Sequence, residues 1–386
     1  MLHVLFSFGT RPEAIKLAPV IRHLQEQSDR FRVSVCLTSQ HRELLRQVTE
    51  FFGIREDVDL DVMVHNQTLE HVTAAVLMKM RGVLEDLKPD VLLVQGDTTT
   101  VFTSALAAFY QKIRVGHVEA GLRTFDRYSP FPEEMNRSMT AALTDFHFAP
   151  TETAAANLRR EGRAEDSIFV TGNTVVDALL LGRDMLGSWD DQRRRALLTE
   201  AGLSEDVVAR LFEGTGRFIT VTAHRRESFG APFDRMLQAI LEVTRRYDDV
   251  EIVYPVHPNP NVREAVQRVL HDKPRIHLIE PVRYEQLLSL MDNSVLLLTD
   301  SGGIQEEGPS LKKPVLVMRE VTERPEGIDA GVARLVGTDH DRIVSTVSEL
   351  LDSEETYAAM ATGKNPYGDG TASRQIADIL SARLDG

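Results

Sequence analysis

Residues 3–19 read HVLFSFGTRPEAIKLAP: an apolar run, a single glycine, then a segment of helical spacing with a proline in its first turn. A strand that ends in glycine and opens directly into a helix is the start of a βα unit. Pro12 suits the first helical turn, where its missing N–H costs nothing, and the free amides of such a turn favour an anion. Arg11 and Lys16 stand beside them. The stretch matches neither the P-loop, which needs GxxxxGK followed by Ser or Thr, nor the dinucleotide pattern GxGxxG. Two readings remain open: Thr10 caps an ordinary helix whose basic residues are solvated, or the turn holds an anion.

The same alternation continues outward from that unit. Candidate strands are Val4–Phe8, Val33–Thr38, Val91–Gln95, Val115–Val118, Phe146–Ala149, Ile168–Val170, Phe218–Thr222, Ile252–Val256, Ile276–Ile279, Val295–Thr299 and Val315–Met318. Segments of helical length, such as Thr68–Leu87 and Pro232–Arg246, lie between them. This pattern predicts an α/β fold of two Rossmann-like parallel-sheet domains facing a cleft. The polar region Trp189–Gly216, with DDQRRR and GTG, has no strand pattern and marks the expected boundary. The domains are then residues 1–188 and 189–365, with residues 366–386 forming a closing helix, Ala372–Leu384, expected to pack back on the first.

A chain of 386 residues can bury two cores, and 42% hydrophobic with 26% charged residues is ordinary for a globular protein. The net charge of −14 argues against a nucleic-acid partner, so any anionic ligand must be held by a local basic cluster. The one cysteine, Cys36, lies in the apolar run RVSVCLT; it reads as a core residue and permits no internal disulfide. With no basic segment leading into an apolar one, and no run of membrane-spanning length, a cytoplasmic location without membrane attachment is expected.

In parallel sheets, ligands bind beyond the carboxyl ends of the strands. There, QGDTTT presents Asp97, GHVEAGLRT presents His117, Glu119 and Arg123, and YSPFPEEMNR presents Glu133 and Glu134 behind two prolines. Three acidic groups at neighbouring loop mouths can supply a base and an acid, while each taken singly also fits a cap or a solvated position. In the second half, AHRRES concentrates His224, Arg225 and Arg226, and His257 in YPVHPNP occupies either a similar strand end or a structural turn. Ser301, Gly302 and Gly303 in DSGGIQEE suit close backbone approach by a phosphate, with Glu307 one turn on for sugar hydroxyls; a plain glycine turn is the alternative. No HExxH, CxxC or GxSxG motif occurs, so neither a metal nor a redox cofactor is expected.

Together FGTRPEAIK, TSQHRE, QGDTTT, GHVEAGLR, YSPFPEE, TGNTVVDA, AHRRESFG, VYPVHPNPNVRE, TDSGGIQEE, TERPEG and NPYGDG resemble the bacterial non-hydrolysing UDP-N-acetylglucosamine 2-epimerases. The resemblance runs from Met1 to the final helix and implies a GT-B-like fold. It implies cofactor-free interconversion of UDP-N-acetylglucosamine and UDP-N-acetylmannosamine in a homodimer, with UDP held as the anion. Asp97, Glu119, Glu133 and His224 match catalytic positions. Arg11, Lys16, Ser301, Gly302, Gly303, Glu307 and Arg324 match substrate-binding ones, with Glu307 on the ribose. Gln40, Arg225 and His257 match a regulatory second site, although Asn66 replaces an arginine there and Glu43 a glutamine; Leu287 stands where a phenylalanine packs on uracil. The resemblance leaves open a relative acting on another UDP-sugar, such as a UDP-diacetamido uronic acid.

Overall fold

Short runs of Val, Leu, Ile and Phe without a polar face are stable only when both faces are covered, and here they become strands of two parallel sheets. The structure, a computed structural model, describes residues 1–38, 42–62 and 68–384. In chain order the first sheet contains β1 Leu2–Phe8, β2 Phe31–Leu37, β3 Val58–Asp59, β4 Val91–Gln95, β5 Arg114–Val118, β6 Phe146–Ala149 and β7 Ile168–Val170. The second contains β8 Arg217–Thr222, β9 Val250–Pro255, β10 Ile276–Ile279, β11 Leu296–Thr299, β12 Val315–Val317 and β13 Ala333–Leu335. Each expected strand is present. The sequence reading lacked β3 and β13, edge strands of two and three residues, too short to carry a period.

The strand orders are β3-β2-β1-β4-β5-β6-β7 and β10-β9-β8-β11-β12-β13. Every pairing is parallel; Val4 of β1, for instance, lies between Val33 and Val91. Each order reverses once, between β1 and β4 in the first sheet and between β8 and β11 in the second. At such a switch point successive connections diverge to opposite faces, leaving a crevice beyond the strand ends. All residues of β1 are buried, as a central strand requires.

Met1–Ala178 and the segment from Tyr367 onward make one compact unit, and Leu179–Pro366 makes the other. The first therefore ends within the helix Thr174–Gly187, ahead of the polar segment expected to mark the boundary. That segment folds as the helices Asp191–Glu200 and Glu205–Glu213, whose Leu198, Val207 and Leu211 pack beside Phe218 and Val253 in the second unit. The closing helix Ala372–Leu384 lies against the helix Arg11–Glu26. Its ends are fixed by bonds from Ser373 N–H to Asp177 (2.7 Å) and from Arg30 to the Ser381 hydroxyl (2.7 Å). Among the described residues no helix is long and apolar enough to cross a membrane.

Candidate active site

At the end of β1, the two amides that precede the helix are engaged from within. Glu13 accepts the N–H of Gly9 at 2.7 Å and of Thr10 at 2.8 Å, and its other oxygen accepts the Thr98 hydroxyl. This is the reciprocal half of a capping box, Thr-x-x-Glu, and it fixes the cap and the residue before it, leaving the first-turn amides from Arg11 onward outside these bonds. Burial pushes the Glu13 carboxyl up, against those three hydrogen bonds. The side chains of Arg11 and Lys16 bring positive charge to this strand end.

Lys16 Nζ lies 2.6 and 2.7 Å from the two carboxylate oxygens of Glu119, the residue that follows β5. Gln95, the last residue of β4, donates to Glu119 Oε2, and Asn173 donates to Oε1 at 3.4 Å. Glu119 has a φ of 64°, a left-handed conformation that a non-glycine side chain holds only when its surroundings fix it. One network thus joins the helix after β1, the last residue of β4 and the residues following β5 and β7.

Asp97 follows β4, and the capping role open to it falls to Thr98, which caps the helix Thr99–Tyr110. The Asp97 carboxylate is released for another partner. Arg137 approaches Oδ2 through Nε at 2.9 Å and Nη2 at 2.7 Å, and Asn136 donates to the Asp97 carbonyl at 2.9 Å. Arg137 also reaches Glu134 at 3.1 Å, and Glu134 accepts the backbone N–H groups of Thr124 (3.1 Å) and Phe125 (2.9 Å). The helix Glu133–Leu143 therefore holds two loops at once. Glu133, its first residue, is half-buried and makes no side-chain hydrogen bond or ion pair among the described residues; the preceding Ser129–Pro130 and Phe131–Pro132 peptides are cis.

In the second unit the expected residues gather at the switch point between β8 and β11. Fully buried Asp300 accepts the N–H groups of His224 and Arg225 at 2.6 and 2.7 Å, with His224 Nδ1 3.2 Å from its other oxygen. The His224 ring stacks on His257, centroids 5.0 Å apart and 10° from parallel, so His257 joins this cluster as well as shaping its turn. Burial and the neighbouring His224 push the His257 imidazole below its ordinary value, and Asp300 opposes them. Asn259 N–H donates to His257 Nδ1 at 3.1 Å.

Ser301 stands at the start of the short helix Gly302–Glu307. A Cβ at Gly302 would lie 3.9 Å from the Arg324 guanidinium, and one at Gly303 would lie 3.9 Å from Glu307, so the glycine turn and these two side chains share one small space. Arg324 donates through Nε to buried Glu306. Leu287 is half-buried on the helix Tyr284–Asn293, and Gln40 and Asn66 lie outside the described residues.

The partners that fix these groups are what sequence reading passed over: Glu13, Gln95, Arg137, Asn173, Asp300 and Glu306. Most stand inside the same motifs, and Glu134 and Arg137 have the i, i+3 spacing of a helical ion pair. Among the described residues no group of three or more His, Cys, Asp or Glu is arranged to hold a metal ion.

A family model described as UDP-N-acetylglucosamine 2-epimerase matches residues 22–381. The UDP-N-acetylglucosamine 2-epimerase of Escherichia coli K12 is 50% identical over 379 residues, 98% of each chain. That of Bacillus subtilis is 47% identical over 379 residues, covering 98% of this chain and 95% of its own. The crystal structure of the Neisseria meningitidis enzyme bound to UDP-GlcNAc superposes with a TM-score of 0.86 at 45% identity, covering 99% of this chain and 100% of that one. With a GT-B-like pair of parallel-sheet domains, and a match that runs nearly end to end, this chain belongs to the UDP-N-acetylglucosamine 2-epimerase family.

Proposed function

We propose that this protein interconverts UDP-N-acetylglucosamine and UDP-N-acetylmannosamine by eliminating and re-adding UDP. C2 of the sugar is not adjacent to a carbonyl, so its proton is not acidic enough for simple removal and return. In the proposed step, a base takes the C2 proton while the C1–O bond breaks. The C2–H electron pair becomes the C1=C2 double bond of 2-acetamidoglucal, and the C1–O pair leaves on the β-phosphate. A proton then reaches the opposite face of C2 as the diphosphate oxygen re-forms its bond to C1.

The observation that carries this reading is that chemistry-bearing loops flank the reversal of strand order in each unit of a member of this family. Asp97, Glu119 and Glu133 serve as the proton-transfer groups, since inversion needs a donor and an acceptor on opposite faces. Asp97 and Glu119 are each held by a cation, Arg137 and Lys16. Arg11, Lys16 and His224 stabilise the departing diphosphate, with the Ser301-Gly302-Gly303 turn receiving phosphate oxygens. Glu307 accepts from the ribose hydroxyls, and Arg324, fixed by Glu306, contacts the substrate. A cytoplasmic location and a homodimer are proposed with it; free, buried Cys36 is in keeping with a reducing compartment.

The test is proton NMR of UDP-N-acetylglucosamine incubated with the protein in heavy water, with no cofactor added. UDP-N-acetylmannosamine carrying deuterium at C2 is the expected product. Free N-acetylmannosamine with UDP would make the protein a hydrolysing enzyme, and an unchanged spectrum despite binding would overturn the assignment.

A further inference from the structure

His117 stands out in GHVEAGLRT, yet the chemistry above gives it no task. We infer that His117 is a positioning residue that ties together the turns carrying Asp97 and Glu119. The inference rests on the proposed role of those two carboxylates at C2. The imidazole is 1% exposed, in the interior strand β5. Its Nε2 lies 2.7 Å from the carbonyl oxygen of Gly96. A carbonyl only accepts, so Nε2 carries the proton. Nδ1 is buried without a hydrogen-bond partner among the described residues. Charging the ring would place a second donor there with nothing to receive it, a penalty added to that of burying the charge. Burial lowers the pKa to about 3; Arg123 and His147 push the same way and Glu119 opposes them. His117 therefore stays neutral while the enzyme works and moves no proton.

What it holds is a turn. Gly96 sits at φ +84°, with Gln95 before it and Asp97 after it. Its N–H donates to the carbonyl of Val118 at 3.1 Å, and its own carbonyl receives His117. Consecutive residues of β5 thus bind both polar groups of this one glycine. Glu119 follows Val118 directly, at the turn where the strand ends, and Gln95 donates to its carboxylate. The imidazole fixes the spacing of the two carboxylate-bearing turns from behind, out of reach of the substrate.

The test uses the full-length enzyme and two variants. His117→Phe keeps an aromatic ring and deletes the donor, whereas His117→Gln restores an amide donor near the Nε2 position. A small misplacement of reacting groups can cost about 100-fold, so His117→Phe is expected to lose about that in kcat with KM within about 3-fold. His117→Gln is expected to recover at least about 10-fold of the loss and to keep both limbs of the wild-type pH–rate profile. Nitrogen-15 NMR of the wild-type ring, assigned by difference from His117→Gln, is expected to show the neutral Nε2–H tautomer throughout pH 5–8. Wild-type kcat in His117→Phe, a pH limb missing in His117→Gln, or an imidazole titrating in that range would each overturn the inference. The tautomer measurement needs no substrate and no His117→Phe protein, so it stands apart from the wild-type turnover assay that judges the proposed function.

Discussion

Lys16→Met, Glu119→Gln and their double variant form a cycle that isolates the ion pair at the centre of the first unit. The two side chains are 16% and 5% exposed, with Nζ–O distances of 2.6 and 2.7 Å. At such a separation, with an effective dielectric of about 20, the Coulomb attraction is about 6 kcal/mol. Relaxation of either partner in the single variants returns part of it, and Glu119 retains its bonds from Gln95 and Asn173. The expected coupling energy is therefore about 3 kcal/mol, at the lower end of what breaking a buried pair costs. The lone tryptophan, Trp189, belongs to the second unit, so its fluorescence does not follow opening of the first. Hydrogen exchange of the β1, β4 and β5 amides does. A coupling below about 1 kcal/mol, the range of solvated surface pairs, would refute the reasoning that this pair organises the strand ends.

Three further outcomes follow from the same geometry. Asp300→Ala removes the acceptor of the His224 and Arg225 N–H groups, and is expected to cost about 3 kcal/mol of stability and about 100-fold in kcat/KM, measured by denaturation and steady-state kinetics. Glu13 is held above its ordinary 4.5 by burial, so the folded state keeps a proton that the unfolded chain has lost. Its contribution to stability is largest below about 4.5 and declines as the pH rises through the folded value. Paired thermal melts should show always-neutral Glu13→Gln gaining on the wild type from pH 4.5 upward, and a gap independent of pH would contradict this. In Gly308→Ala the new Cβ would stand 2.5 Å from Val315 Cγ2 and 2.8 Å from Leu297 Cδ1, so overpacking is expected to cost about 1–3 kcal/mol in a melt of the second unit.

The strands were legible because doubly covered strands are continuous apolar runs, and the expected limits of β4, β6, β7 and β10 coincide with the observed ones. The edge strands β3 and β13 carry too few residues for that signal. Glu13 was visible as the fourth residue of Thr-x-x-Glu, but which amides it takes up, those of Gly9 and Thr10, is evident only once the carboxylate is placed. Asp97 posed the opposite problem, because only the observed cap at Thr98 shows that its carboxylate is not the cap and is left to Arg137. Pairs such as Lys16 with Glu119 and His224 with Asp300 depend on which strands are neighbours, and one sequence does not contain strand order. The charged segment after Trp189 read as a boundary because its helices expose most of their polar faces; only a few leucines and valines reach the core.

The central claim, that the C1–O bond breaks and re-forms at each epimerisation, is tested most directly by positional isotope exchange. UDP-N-acetylglucosamine labelled with oxygen-18 in the bridge between C1 and the β-phosphorus would be turned over and examined by phosphorus-31 NMR. Free rotation of the β-phosphate in departed UDP should scramble the label into non-bridging positions on the timescale of C2 inversion or faster. Inversion at C2 with the label held wholly in the bridge would contradict the elimination account.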